Sequence, residues 1–399
     1  MKSTLRSKYL AASAVLAVIA AVLSNGVAVA NHSGLGGVIG GFQVDGNFEF
    51  PAPAALGGTR DWASVTTTRI DDKGGDPTDQ VFTDGSKENE PDTWAYTTTN
   101  LASYPAKTDI TRGYFASEVT PSNAYLWLGF ERFASEGQGS ASMNFELNQK
   151  TSKIVNSKGT SIPERTNGDL LVLYDYAGGE NAVGIEVREW VGTPLLGTWN
   201  LVSPPPNAAF GDINTGTVNR PGGVFGGGSA PKFRFGEAGL DMGVEVFQKF
   251  LKCPGISSFY IKSRASSQSF NSALRDTTDP GTIDFSTCGA ITVLKDDDSG
   301  ADLNGATFQL YRDNGDGLFL SPPDAAVTTC VTGEEGTAGQ CTFENVTPGT
   351  YFVKETAAPE GYVVDPFVSK VTVGRRQTVV VPHVYVDPKI QYRLALTPI

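Results

Sequence analysis

The chain has two histidines and four cysteines, the residue types with the most specific chemical uses. A positioned imidazole can act as a general base or a metal ligand, but His32 lies near the N-terminus and His383 lies in a predicted terminal strand. The sequence contains no nucleophile elbow, phosphate-binding loop or zinc-ligand spacing. We therefore predict no cofactor and no histidine-based catalysis.

The four cysteines predict two disulfides, because an even count is typical of exported chains in an oxidising setting. We prefer the pairs Cys330–Cys341, which would join neighbouring strands across a hairpin, and Cys253–Cys288. The second pair closes the longer loop and is worth about 3 to 4 kcal/mol by the loop-entropy argument. The other two connectivities stay open, because sequence alone does not fix pairing.

Carboxylates form two groups that could carry out glycoside hydrolysis, which needs two carboxyl groups facing each other across a cleft. One group crowds a single loop: Asp71, Asp72, Asp76, Asp79 and Asp84. The other group lies on predicted strands: Glu131, Glu146, Glu186 and Glu189. Alternation along the strands places Glu146 and Glu186 on the face opposite the core, so we predict a solvated surface there.

Two further features could bind ligands. Trp94 lies in the acidic loop and is our candidate for an exposed contact with a sugar, whereas Trp127 is expected in the core. The segment YRDNGDGLFLSPPD resembles the opening of a calcium loop, but Arg312 occupies the first ligand position. We predict a solvated hairpin loop here, because calcium takes about six or more oxygen ligands.

Residues 1–30 have the organisation of a secretory signal peptide, with basic residues, the apolar run Ala11–Leu23 and a small-residue end. The run is shorter than the roughly 20 residues of a membrane-spanning helix. We expect a secreted or loosely surface-associated protein with no transmembrane segment in the mature chain. Removing three basic residues and no acidic ones changes the net charge from −12 to −15. Such acidity disfavours nucleic acid and anionic membranes as partners.

The remaining chain predicts an all-β protein with two domains. Residues 31–41 are glycine-rich and expected to be a flexible leader, and residues 42–287 carry short strands with period-two alternation, such as SMNFELNQ. This spacing predicts an antiparallel two-sheet sandwich, jelly-roll-like. Residues 71–99 and 204–231 are expected to be long loops at its rim, and residues 240–251 a short capping helix.

A different pattern occupies residues 288–389, before a predicted tail at residues 390–399. It includes the stretches AITVLKDDDSGADLNGATFQLYRD, GTAGQCTFENVTPGTYFVKETAAPEGY and VTVGRRQTVVVPHVYVDP. In these stretches it resembles the Cna B-type, or SpaA-like, prealbumin-fold domains of bacterial surface adhesins and pilins. The resemblance implies a prealbumin-like Greek-key sandwich. The N-terminal half is similar to exported actinobacterial β-sandwich domains, a likeness that implies no activity.

Members of that family commonly carry an intramolecular isopeptide bond between a lysine of the first strand and an Asn or Asp of the last, assisted by a buried glutamate. By position, the resemblance implies that Lys295 is the lysine and Glu355 the glutamate. The usual Asn is absent from the final strand, and Asp387 takes its place. The alternative is that Lys295 is an ordinary strand lysine, paired with nearby carboxylates.

These observations favour a structural or adhesive surface protein and not an enzyme. Its expected partners are a host or environmental surface, a cell-wall component or a glycan. The alternatives are a secreted carbohydrate-binding protein that uses Trp94 and, third, a glycoside hydrolase with a carboxylate pair. The chain ends QYRLALTPI and lacks the LPxTG sorting signal that often tethers family members, so we leave the mode of anchoring open.

Overall fold

The computed structural model describes residues 36–49, 57–83, 85–99, 104–120, 123–135, 140–178, 183–248, 253, 255–320 and 323–391. The predicted signal peptide, Asp84 and most of the predicted tail lie outside the described residues. Nearly all regular structure is β-strand, which confirms the predicted all-β class. Among the described residues, no helix has the length and apolar character needed to span a membrane.

The described residues of the N-terminal part form twenty strands. They are β1 (Gly37–Ile39), β2 (Phe42–Val44), β3 (Thr67–Asp71), β4 (Val81–Phe82), β5 (Tyr96–Thr97), β6 (Ile110–Val119), β7 (Ala124–Arg132), β8 (Ala141–Asn148), β9 (Lys153–Val155), β10 (Ser161–Pro163), β11 (Leu170–Tyr176), β12 (Val183–Gly192), β13 (Gly197–Val202), β14 (Ala209–Ile213), β15 (Val218–Asn219), β16 (Ser229–Ala230), β17 (Phe235–Asp241), β18 (Ile256–Arg264), β19 (Leu274–Thr277) and β20 (Gly281–Phe285). Short 3-10 turns lie at Trp62–Ser64, Pro91–Thr93, Ala106–Thr108 and Gly223–Phe225, and an α-helical turn lies at Glu245–Gln248.

Two antiparallel sheets form the N-terminal sandwich. The larger has the order β13-β12-β11-β8-β18-β19-β4-β5, with β20 also paired to β18, and the smaller has the order β14-β17-β7-β6-β3. Their facing sides enclose one core of alternating apolar residues, which includes Leu128, Phe130, Phe145, Val172 and Ile261. Burial of this face is the main stabilising contribution to the sandwich.

The outer faces of both sheets are covered as well. Every residue of β8 is buried, including the polar positions of its alternating pattern. Aromatic clusters around Trp62 and Trp127 cover the smaller sheet, and clusters around Trp94 and Trp190 cover the larger one. The core position expected for Trp127 is confirmed. The chain from residues 71–99 and 204–231 supplies short strands and turns to these layers, so these stretches are not simply rim loops.

Two local expectations are wrong. Within the expected flexible leader, Gly37–Ile39 forms strand β1 and pairs with Phe42–Val44, because Ile39 and Val44 pack against Gly239 on the smaller sheet. The predicted helix over residues 240–251 shrinks to one turn, Glu245–Gln248. Leu240 belongs to strand β17, and the C-terminal end of the predicted helix lies outside the described residues.

The C-terminal part is a second sandwich, in which the described residues form eight strands. They are β21 (Gly289–Asp297), β22 (Thr307–Arg312), β23 (Ala325–Val331), β24 (Gln340–Val346), β25 (Gly349–Ala357), β26 (Val368–Val373), β27 (Thr378–Val380) and β28 (Tyr385–Asp387). One sheet has the order β24-β21-β27, with β28 also beside β21, and the other has the order β23-β22-β25-β26. A separate apolar core lies between them and includes Ile291, Phe308, Val353 and Tyr385.

The structure contains the disulfides Cys253–Cys288 and Cys330–Cys341, which are the two preferred pairs. Cys288 lies one residue before β21, so the first disulfide ties the junction between the two sandwiches. Cys330 lies on β23 and Cys341 on β24. These strands belong to different sheets, so the second disulfide joins the two sheets at one edge and does not staple a hairpin within one sheet.

Candidate functional site

Three strands of the C-terminal sandwich bring Lys295, Glu355 and Asp387 together. Strands β21 and β28 run parallel, with Lys295 opposite Tyr385 and Asp297 opposite Asp387. Because side chains two residues apart share a face of a strand, Lys295 and Asp387 point to the same side. Glu355 reaches them from β25 in the facing sheet. All three side chains are fully buried.

The distances place a nucleophile against a carboxyl group. Lys295 Nζ lies 2.7 Å from Asp387 Oδ1 and 3.7 Å from Glu355 Oε2. The other two carboxyl oxygens, Glu355 Oε1 and Asp387 Oδ2, are buried and have no hydrogen-bond partner among the described residues. If Glu355 is protonated, its O–H group can donate to the Asp387 oxygen. Neither oxygen is then an unpaired buried acceptor, which would cost free energy.

The charge of this site follows from its composition, one amine and two carboxyl groups. Burial and a hydrogen bond with Asp387 raise the pKa of Glu355 to about 8. Near neutral pH Glu355 is therefore in its acid form, and Lys295 and Asp387 form an ion pair beside it. Transfer of one proton from Lys295 to Asp387 gives a free amine beside a carboxylic acid without changing the net charge.

A second buried lysine, Lys262 of β18, lies in the N-terminal sandwich beside the carboxylates of Glu88 and Glu146. Arg165 completes this cluster: its Nη2 lies 2.8 Å from Glu88 Oε1 and 2.8 Å from Glu146 Oε2. The Arg165 guanidinium also lies over three indole rings, those of Trp94, Trp190 and Trp199. All four charged side chains are buried.

The two lysine sites differ in their charge balance. Two cations face two carboxylates around Lys262, so every group can be ionised while the cluster stays neutral. Burial alone would raise the pKa of Glu146, but Arg165 and Lys262 outweigh it and lower the pKa to about 2. Glu146 thus remains an anion and forms an ion pair with Lys262. The site around Lys295 differs because its Glu355 keeps its proton near neutral pH.

This cluster corrects the prediction for Glu146, which is fully buried and not on a solvated face. Glu186 is also buried and forms an ion pair with Arg188. The alternation of β8 is real, but its polar side faces the layer that contains Trp94 and not solvent. Trp94 itself has no exposed surface, and its Nε1 donates to the backbone oxygen of Lys87 at 2.7 Å. It is therefore not an exposed platform for sugars.

The acidic loop brings together a different set of carboxylates from the predicted one. Oxygens of Asp72, Asp79 and Asp276 lie within 4.8 Å of one another, and Asp276 comes from β19, far along the chain. Burial raises the pKa of Asp72 to about 8. Glu131, on the smaller sheet, is bound by the Tyr114 hydroxyl at 2.6 Å. Asp71 and Asp76 of the predicted loop group are exposed, so that group does not form one cluster, and Glu131 lies apart from it in a buried environment.

The segment that resembles a calcium loop is a turn held by its own side chains. Asp313 Oδ1 accepts from the backbone N–H groups of Gly315 and Gly317, each at 3.0 Å. Asp324 accepts from the backbone N–H groups of Asn314 and Leu320. The oxygens that a cation would need are thus used by the backbone, as the hairpin-loop interpretation predicts.

Sequence reasoning missed Glu88 and Lys262. Lys262 lies in the strand SSFYIKSR, where a lysine within an apolar run could have signalled a buried charge. Arg165 lies four residues before Asp169 in the sequence, yet it binds Glu146 and Glu88. Asp169 accepts from backbone N–H groups, including that of Thr166 at 2.6 Å. The partners come from distant parts of the chain, so no local pattern identifies them.

Comparison with known proteins identifies the C-terminal domain. Residues 289–384 match the family described as SpaA: Prealbumin-like fold domain. No curated protein matches the chain. Similar solved structures include the Bacillus anthracis TIE protein, with 13% identity, a TM-score of 0.22, and coverage of 70% of this chain and 58% of that one.

Two pilins are also similar. GBS52, the minor pilin of Streptococcus agalactiae, has 12% identity and a TM-score of 0.22 over 65% of this chain and 87% of its own. BcpA, the major pilin subunit of Bacillus cereus, has 14% identity and a TM-score of 0.24 over 67% of this chain and 65% of its own. At these values the likeness carries no argument about function. The chain spans only 58% of the length of the TIE protein.

Proposed function

We propose that this chain, whose residues 289–384 form an SpaA-type prealbumin-fold domain, is a secreted structural protein of the cell surface with a self-cross-linking stalk module. The buried trio of Lys295, Glu355 and Asp387 is the observation that carries the proposal. Its product would be an amide between β21 and β28. The N-terminal sandwich, residues 42–287, would be the presenting domain, and the chain would act as no enzyme on other molecules.

The reaction joins Lys295 Nζ to the Asp387 side-chain carbon Cγ and releases one water. The amine attacks Cγ of the carboxylic acid, and the C–O bond to one Asp387 oxygen breaks. Glu355 donates its proton to the departing oxygen and receives a proton from the nitrogen, so it ends in its original acid form. Burial assists, because it disfavours the charged forms of both the lysine and the carboxyl group.

A substitution at Glu355 tests this assignment. We expect the Glu355→Gln chain to keep the full mass calculated from its sequence, because glutamine fills the same space but cannot relay protons. The chain with native Glu355 should be lighter than its calculated mass by one water. Intact mass spectrometry of the reduced, denatured proteins measures both values.

The matched control is Glu360→Gln, which changes an exposed glutamate five residues further along the chain. This chain should lose the water as the native one does. Circular dichroism should show that the Glu355→Gln chain is folded. A folded Glu355→Gln chain that still loses one water would show that Glu355 is not required.

The rate of bond formation should fall as the pH rises above about 8, the raised pKa of Glu355. Below that pH the group holds its proton and can donate it, and above that pH the acid form disappears. Freshly synthesised cell-free protein, diluted into buffers on either side of this value, gives the rate from the growing fraction that has lost water. If free lysine amine alone limited the reaction, the rate would increase with pH instead.

A further inference from the structure

Among the described hydrogen bonds, the backbone N–H of Asp365 is the only donor other than Lys295 that contacts the side-chain oxygens of Glu355 and Asp387. It lies 3.0 Å from Asp387 Oδ1 and 3.2 Å from Glu355 Oε2. Asp365 belongs to the segment between β25 and β26, which contributes no side chain to the trio. The N–H group thus reaches both carboxyl groups from outside the two strands that would be joined.

The Asp365 side chain holds that N–H group in place. Its Oδ1 accepts from Phe367 N at 2.9 Å, and its Oδ2 accepts from Val386 N at 3.1 Å. Val386 is the residue before Asp387, so the same carboxylate connects this segment to β28, the strand that supplies the acyl group. His383 Nε2 lies 3.0 Å from Asp365 Oδ2.

The His383 ring is itself fixed by packing. It lies against Phe367, with ring centroids 4.0 Å apart, and it meets Tyr385 edge-on at 4.7 Å. Burial alone would raise the pKa of Asp365, but hydrogen bonds from Phe367 N and Val386 N outweigh it and lower the pKa. Asp365 is therefore a permanent acceptor, and the His383 side chain is one of the groups that orient it.

From these contacts we infer that the Asp365 N–H is the oxyanion donor for cross-linking, and that the Asp365 carboxylate and His383 are positioning residues for it. This inference rests on the proposed cross-linking function. Attack by Lys295 turns the Asp387 carboxyl carbon tetrahedral and places negative charge on one oxygen. The oxygen that faces Asp365 N–H, Oδ1, is retained as the amide oxygen, and Oδ2 leaves as water with the proton from Glu355.

Loss of the anchor should slow the reaction while leaving the fold intact. Removing an oxyanion donor typically lowers a rate by about 100-fold or more, and misplacing one has a smaller effect. We expect about a tenfold slower loss of water in His383→Ala and a larger effect in Asp365→Ala. His383→Gln should restore most of the rate, because its amide nitrogen can also donate to Asp365.

The test follows the fraction of cell-free chain that has lost one water over time, for the native chain and these three variants. Each substitution is also combined with Lys295→Arg, which prevents cross-linking. Thermal unfolding of these double variants measures the effect of the substitution on stability alone. If the native chain cross-links and both alanine variants do so at the native rate, the inference is wrong. Equal slowing in His383→Ala and His383→Gln would also overturn the role of His383. A native chain that never loses water would instead refute the proposed function.

Discussion

Replacing Lys295 with methionine is expected to lower the unfolding free energy of the C-terminal sandwich by about 4 to 5 kcal/mol, which is the loop-entropy value for a cross-link that closes roughly ninety residues. The substitution also leaves Glu355 and Asp387 buried without a cation, which adds a further cost. Denaturant unfolding, followed by a probe of the C-terminal sandwich, measures the change. It is the largest effect we expect from a single substitution in this sandwich.

Lys389→Met is the matched control. Lys389 pairs with Asp297, the last residue of β21, which lies two residues after Lys295. The Lys389 side chain is 59% exposed. Exposed ion pairs contribute about 0 to 1 kcal/mol, so this variant should unfold close to the native chain. Equal stability of the Lys295→Met and Lys389→Met chains would contradict a covalent link at Lys295.

Replacing Lys262 with methionine should destabilise the N-terminal sandwich by about 3 to 5 kcal/mol. The two buried carboxylates of the cluster would then face one cation, Arg165, so one negative charge would be left uncompensated. Lys262 is fully buried between Glu88 and Glu146. The cross-link should still form, since Lys262 lies in the other sandwich. Denaturant unfolding and intact mass of the same sample measure the two outcomes.

Lys153→Met provides the comparison for this second substitution. Lys153 and its partner Asp279 have side chains that are 43% and 92% exposed, so the loss of this pair should cost about 0 to 1 kcal/mol. A Lys262→Met chain as stable as Lys153→Met would mean that the buried cluster contributes nothing to stability.

Sequence reasoning was most successful where a segment carried a family pattern. The SpaA-like resemblance predicted within residues 288–389 is confirmed by the family match over residues 289–384, and the strands bring Lys295, Glu355 and Asp387 within contact. Period-two alternation also predicted the N-terminal sandwich correctly. Whether the trio reacts stays a prediction, because neither pattern nor fold determines whether the amide forms.

The errors at Glu146 and Trp94 have one physical cause, which is the covering of a sheet on both faces. Alternation in β8 assigns Glu146 to the second face, but it cannot say what lies against that face. Here the chain around Glu88 and Trp94 covers it, so a polar position becomes a buried ion cluster. The same covering buries Trp94, which removes the residue on which the glycan-binding alternative depended.

The most direct test of the central claim is peptide mapping of the purified, reduced protein by tandem mass spectrometry. We predict one branched peptide in which the Lys295 side chain is joined to the Asp387 side chain, with a mass one water below the sum of the two separate peptides. Lys262 should occur only in an unmodified peptide. Recovery of the Lys295 and Asp387 peptides as separate, unmodified species would contradict the cross-linked stalk.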